Sequence, residues 1–235
     1  MSKNLLRKLF IFSISYFVSV HAMGAFTLNG TRFIYPQEQK TVSFEITNHA
    51  TETYGGQIWI DNANNDKNVY IIPQPSFFKV GAGLKQVVRL IRTSDALLPE
   101  ERESLFRLTV QEIPPLKAST DKYGESNILS LAMGTRVKVI YRPTKLKDGR
   151  KNAESKIELI RRADGVYLKN PTPYYFAVGG IKANGEYIRI NKNTQQQLYD
   201  FAPFSEVNLN GTVNGKLTID AIDDWGAIRT YTIEQ

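Results

Sequence analysis

Few residues in this sequence are of a type and spacing that could do chemistry. The chain of 235 residues has no cysteine and two histidines, and only His49 lies beyond the first 22 residues. His49 sits in the loop-like stretch Asn48-His49-Ala50-Thr51-Glu52-Thr53, and a histidine without a visible partner reads as a solvated loop residue. There is no G-x-S-x-G elbow, no H-E-x-x-H helix and no glycine-rich loop of the kind that cradles phosphate. Glu100, Glu101 and Glu103 crowd together after Pro99 and have the chemistry to hold a cation, but a charge run beside a proline reads as a solvated turn. Thiolate metal sites are excluded by the missing cysteines. The expectation is a protein that is not an enzyme, with no metal and no cofactor.

The more informative residues lie between Asn127 and Pro143. Leu129, Leu131 and Met133 alternate with Ser130, Ala132 and Gly134, and the alternation continues through Val137, Val139 and Tyr141 against Arg136, Lys138 and Arg142. A period of two is the mark of a strand, and this one is longer than the usual ~5–6 residues. Pattern alone favours two core strands bent at Gly134. The other reading is a strand that projects past its own sheet as an apolar edge, which proteins normally avoid unless another chain is to pair with it. Period two also sets Lys138 on the opposite face from Leu129, Leu131 and Met133. Either the two faces do separate jobs or a bulge intervenes.

The elements that must position this stretch are strands nearly throughout. Lys3, Arg7 and Lys8 precede the apolar run Leu9–Val20, and Val20-His21-Ala22 offers small residues for cleavage, the pattern of an export signal. Cleavage is expected after Ala22, with sites up to Ala25 as alternatives, and the periplasm of a bacterium as destination. The run is shorter than the ~20 residues of a membrane span, so no membrane insertion of the mature chain is expected. The formal charge of +7 falls to +4 once the three leader cations are removed. The remaining Lys and Arg are interspersed with acids, which argues against nucleic-acid binding.

From Phe26 onward, expected strands are Phe26–Leu28, Arg32–Tyr35, Lys40–Asn48, Gln57–Asp61, Asn68–Ile72, Phe77–Val80, Lys85–Arg92 and Leu105–Ile113, with a short helix over Leu97–Ser104. Such close spacing points to an immunoglobulin-like β-sandwich. The polar run Pro143–Gly149 reads as a hinge. Beyond it Lys156–Arg161, Val166–Asn170, Tyr174–Ile181, Glu186–Ile190, Lys216–Asp220 and Ala227–Ile233 form a second set. The fold class is therefore all-β, with a leader over 1–22, one domain over 25–143, a second over 144–235, and a cleft between them as the default ligand site.

Five blocks, in order, resemble one known family. They are Gly30-Thr31-Arg32-Phe33-Ile34-Tyr35-Pro36; Leu98-Pro99-Glu100-Glu101-Arg102-Glu103-Ser104-Leu105-Phe106 with Glu112-Ile113-Pro114-Pro115; Thr135–Pro143; Asn170-Pro171-Thr172-Pro173-Tyr174-Tyr175; and Ile222-Asp223-Asp224-Trp225-Gly226. Together they resemble the periplasmic chaperones of the chaperone–usher pilus pathway, the PapD-like family, over essentially the whole mature chain. The resemblance implies two immunoglobulin-like sandwiches set as a boomerang. It also implies pilus subunits as partners, held by donation of the long first-domain strand, and an outer-membrane usher that receives them. On the residues that match, Leu129, Leu131 and Met133 would enter the subunit's groove. Arg32 and Lys138 would hold its terminal carboxylate, and Glu103, Arg142 and Asp224 would form an ion network fixing the interdomain angle. The exposed edge would allow self-association of the free protein. The absent cysteine pair places the chain with the short-loop branch, although Leu116–Ser126 is somewhat longer than that branch's loop.

Two rivals follow from the same residues. One is a pilus subunit or adhesin, although the N-terminus runs straight into Gly30–Pro36 without a donor extension. The other is a secreted carbohydrate-binding sandwich with Trp59 and Trp225 as platforms, although both rings are expected in a core or at the domain interface. Neither Arg32 nor Lys138 has a partner legible in the sequence, so their loss should leave the fold intact.

Overall fold

The structure is a computed structural model that describes residues 24–64, 67–93, 97–116, 131–209, 211 and 213–233. The leader at Met1–Ala22, the candidate Leu129 and most of the loop Leu116–Ser126 lie outside these residues. The first part of the chain contains β1 (Phe26–Leu28), β2 (Arg32–Pro36), β3 (Thr41–Asn48), β4 (Tyr54–Asn62), β5 (Ile71–Gln74), β6 (Phe77–Val80), β7 (Lys85–Arg92), β8 (Ser104–Ile113) and β9 (Gly134–Arg142). They form two sheets, ordered β1-β3-β7-β5 and β2-β9-β8-β4-β6. Alternation sends Phe44 and Ile46 of β3 and Val88 and Leu90 of β7 into one core with Leu108 and Val110 of β8 and Val139 and Tyr141 of β9. Two inner faces packed in this way are an immunoglobulin-like sandwich.

The second part holds β10 (Glu158–Arg162), β11 (Gly165–Lys169), β12 (Val178–Ala183), β13 (Glu186–Tyr187), a helix α1 (Lys192–Tyr199), β14 (Glu206–Asn208), β15 (Leu217–Ile222) and β16 (Ile228–Ile233). Its sheets run β10-β11-β14 and β13-β12-β15-β16. A separate core gathers Leu168, Val178, Ile181, Val207, Leu217, Ile219 and Ile233, with Leu198 of α1. The all-β, two-sandwich fold class read from the sequence is the fold observed.

Three local expectations fail for identifiable reasons, and one helix is unanticipated. Leu97–Ser104 is not helical: it is irregular up to Glu103 and Ser104 opens β8, because Glu103 is drawn into the junction, its N–H donating to the Pro173 carbonyl at 2.9 Å. Tyr174–Ala177 lie outside strand β12. Their loop is held by the buried Asn170, whose Nδ2 donates to the carbonyls of Tyr174 and Ala202 at 2.8 and 2.9 Å. Pro143–Gly149 is not a loose hinge. It enters consecutive 3-10 turns over Thr144–Leu146, Asp148–Arg150 and Ala153–Lys156, pinned by the Tyr174 hydroxyl donating to the Leu146 carbonyl at 2.7 Å. Helix α1 was not expected at all. Asn191 caps it by accepting the Thr194 N–H at 2.8 Å, as Asn does well, but it buries only Thr194 and Leu198, too little for an apolar stripe to be legible.

Candidate functional site

Strand β9 is central where it pairs and open where it does not. Against β8 it runs antiparallel in unbroken register from Ser104↔Tyr141 to Gln111↔Gly134. Against β2 it runs parallel, but only from Arg32↔Lys138 to Pro36↔Arg142. Among the described residues, Gly134–Val137 are therefore paired on one side only. The pairing to β8 continues one residue further, as the Glu112 N–H donates to the Met133 carbonyl at 2.9 Å. Leu131 and Met133 are 74% and 53% exposed, which removes the reading of two core strands bent at Gly134. Since no register shift interrupts β9, its two faces stay separate. Leu131 and Met133 share the parity of the buried Val137, Val139 and Tyr141, whereas Lys138 belongs to the outer face.

That outer face carries cations three abreast. Arg32 of β2 and Arg107 of β8 are the register neighbours of Lys138 on either side, and neighbouring strands lie about 4.8 Å apart. Like charges so placed repel, and the offset comes from the second domain. Asp200, the residue that follows α1, sets Oδ1 3.0 Å from Lys138 Nζ while its Oδ2 accepts from Arg107 Nη2. Lys138 Nζ also donates to the Tyr199 carbonyl, and Arg32 Nη1 donates to the Ile222 carbonyl at 2.9 Å. Both cations thus have partners across the junction, which corrects the expectation that neither has one to lose. Arg32 Nε is buried with no acceptor among the described residues. Burial draws the Lys138 ammonium down to about 8, against the pull of Asp200 and with the push of Arg107 and Arg32. Burial also lowers Arg32, opposed by Asp224, yet a guanidinium stays charged.

The three residues of the expected ion network are brought together. Arg142 Nε donates to Glu103 Oε1 at 2.6 Å, and Nη1 and Nη2 donate to Asp224 Oδ2 and Oδ1 at 2.7 and 3.1 Å. The Glu103 side chain is 0% exposed, and its Oε2 accepts the Tyr175 N–H at 2.7 Å. A buried carboxylate is tolerable when its oxygens are satisfied in this way. Burial alone would lower Arg142; its bonds to Asp224 and the charge of Glu103 hold it above its ordinary value. Glu103 is thus a junction residue rather than part of an acidic cation site; Glu101 faces Arg102 instead, at 3.5 Å.

The sequence reading missed two members of this network. Arg150 grips Glu154 through two bonds of 2.9 and 2.7 Å, approaches Asp224 at 3.4 Å, and lies over the rings of Tyr174 and Phe176. Their only sequence signal is an Arg and a Glu four residues apart, just after the run read as a hinge. Trp225 was expected to pack, yet it is 92% exposed. It sits at the tip of the β15–β16 turn, where Asp223 Oδ1 accepts the N–H groups of Trp225 and Ala227 at 3.0 and 2.9 Å. Trp59 is half-buried on the outer face of β4, and His49 is exposed, its ring 2.7 Å from the Thr27 hydroxyl.

With the geometry in view, comparison with known proteins supplies the family. Residues 25–147 match the family described as pili and flagellar-assembly chaperone, PapD N-terminal domain, and residues 152–233 match the pili assembly chaperone PapD C-terminal domain. The chaperone protein FanE of Escherichia coli is 44% identical over 219 residues, covering 92% of this chain and 93% of its own. The crystal structure of the periplasmic chaperone SfaE is 30% identical, with TM-score 0.69, covering 89% of this chain and 100% of its own. The SafB chaperone of Salmonella enterica, solved in complex with SafA pilin, shares the fold at 19% identity and TM-score 0.71, over 91% of this chain and 97% of its own. Both halves of the chain match, in the order in which the five sequence blocks resembled the family, and the chain belongs to the PapD-like pilus-assembly chaperones.

Proposed function

We propose that this chaperone acts in the periplasm by capturing pilus subunits along the open edge of β9, holding the subunit's terminal carboxylate with Arg32 and Lys138, and delivering the subunit to an outer-membrane usher. The observation that carries this reading is the junction of two features at one point. The unpaired edge of β9 runs up to Lys138, and β2 begins there with Arg32. A strand laid along Leu131–Val137 would find free backbone groups on one side and the row of cations at its end. For its C-terminus to reach Lys138 it must run in the direction of β9, so the added strand would be parallel. The exposed Leu131 and Met133 would then fill a groove in the subunit, with Leu129 continuing the series. A carboxylate between a guanidinium and an ammonium would gain charge-assisted bonds in a partly dehydrated site.

Binding of a peptide from a subunit's C-terminal strand tests this. The free-acid peptide should bind wild type well and the Lys138→Ala protein poorly, whereas the amidated peptide should bind both about equally weakly. Equal losses on amidation in the two proteins would show that Lys138 does not read the carboxylate. Mass spectrometry of what co-purifies from periplasm should identify the subunit itself.

A further inference from the structure

The row Arg32, Lys138 and Arg107 is not bare in the free protein, because one carboxylate already touches it. Asp200 divides its two oxygens between two cations: Oδ1 lies 3.0 Å from Lys138 Nζ, and Oδ2 accepts from Arg107. The carboxylate is anchored from behind as well. Gln196 Nε2 donates to Oδ2 at 3.0 Å, and the Asp200 N–H donates to the Gln196 carbonyl at 3.2 Å, so Oδ2 is fixed and Oδ1 is the replaceable contact. Lys138 is only 16% exposed; an ammonium so buried is costly without a counter-charge.

We propose that Asp200 is an internal stand-in for the subunit's terminal carboxylate: its Oδ1 occupies Lys138 in the free chaperone, and capture exchanges that oxygen for one from the subunit while Oδ2 remains on Arg107. The inference rests on the carboxylate-anchor reading above. It makes capture an exchange between like groups rather than an addition. A carboxylate free in solution must displace one held within the same molecule, and it does so with no help. A carboxylate at the end of a strand already paired along β9 arrives at high effective concentration and competes well. Asp200 therefore acts as a specificity residue that rejects stray anions and admits a terminus presented in register.

The experiment uses the full mature chaperone, its Asp200→Asn variant, and the free-acid and amidated forms of the same subunit peptide. The variant should bind the free-acid peptide more tightly than wild type, by roughly fivefold or more as for other couplings of this kind, with the amidated peptide unchanged. A folded variant, judged by thermal unfolding, that binds the free-acid peptide no tighter than wild type would overturn the proposal. A second measurement on wild type stands if the variant does not fold. The side-chain carboxyl carbon of Asp200, followed by NMR, should shift on saturation with the free-acid peptide and stay still with the amidated one; no shift with the free acid overturns the proposal. If wild type itself fails to distinguish the two peptides, the anchor reading falls and this inference with it. Discrimination by wild type without tightening in Asp200→Asn removes the stand-in alone.

Discussion

Lys138 holds its proton more loosely than the guanidinium on either side. Burial brings its ammonium down to about 8, Asp200 favours the charged form, and Arg107 and Arg32 disfavour it. Since an ordinary lysine titrates near 10.4, the unfolded chain carries more protons than the folded one between about pH 8 and 10. The contribution of Lys138 to stability therefore rises with pH across that window, and below it the buried charge is a standing cost. Carboxylate capture should move the other way. Affinity for a free-acid subunit peptide should fall between pH 7 and 9, by at most roughly tenfold per unit above 8. A Lys138→Arg protein should stay flat over the same range, because a guanidinium does not discharge. A flat wild-type profile, measured by titration calorimetry, would mean that Lys138 is not the group being read. The juxtaposition of Arg32 and Lys138 was legible only through family resemblance, since nothing local pairs residues so distant in sequence and a parallel register is invisible to periodicity. Asp200 was not legible even then, because its place depends on a helix that buries only Thr194 and Leu198.

At the scale of elements, β3, β7 and β8 were plain in the sequence because each buries one face and exposes the other. The strand at β9 was plain, but not its edge. Whether an apolar row lies inside or outside its own sandwich depends on where β2 ends, which is a fact of pairing and not of pattern. The turns from Thr144 to Lys156 were not legible because polar residues in such a run look solvated, whereas Arg150 and Glu154 are buried partners. The exposed part of the β9 stretch makes a direct prediction. Leu131→Asp adds a charge to a side chain already 74% exposed, so the melting temperature should change little while subunit co-purification is lost. Unfolding of the first domain would place Leu131 in a core in solution and remove the edge from the account.

The whole molecule is two sandwiches held at a junction dense in ionised groups. Arg142 sits between the buried Glu103 and Asp224, with Arg150 on the far side of Asp224. Arg142→Ala would leave Glu103 buried without its cation, a change that costs about 3 kcal/mol in comparable buried pairs. Calorimetry should show earlier unfolding, and small-angle scattering a wider spread of interdomain arrangements with each sandwich intact. Curves superposable on wild type in both measurements would remove Arg142 from control of the junction. The parallel strand β2 has a mechanical consequence as well. Because it begins at Arg32, it closes the edge of β9 at a fixed point, and anything sliding along that edge meets a doorstop there. On the proposed reading, a subunit tail would be gauged from its last residue backwards. One residue added after the natural terminus would turn every preceding side chain to the wrong face, and capture should fail. Two added residues would restore the faces but displace them by one groove position, and co-purification should partly return. In this mechanism the terminus of the subunit serves as the zero mark of a ruler.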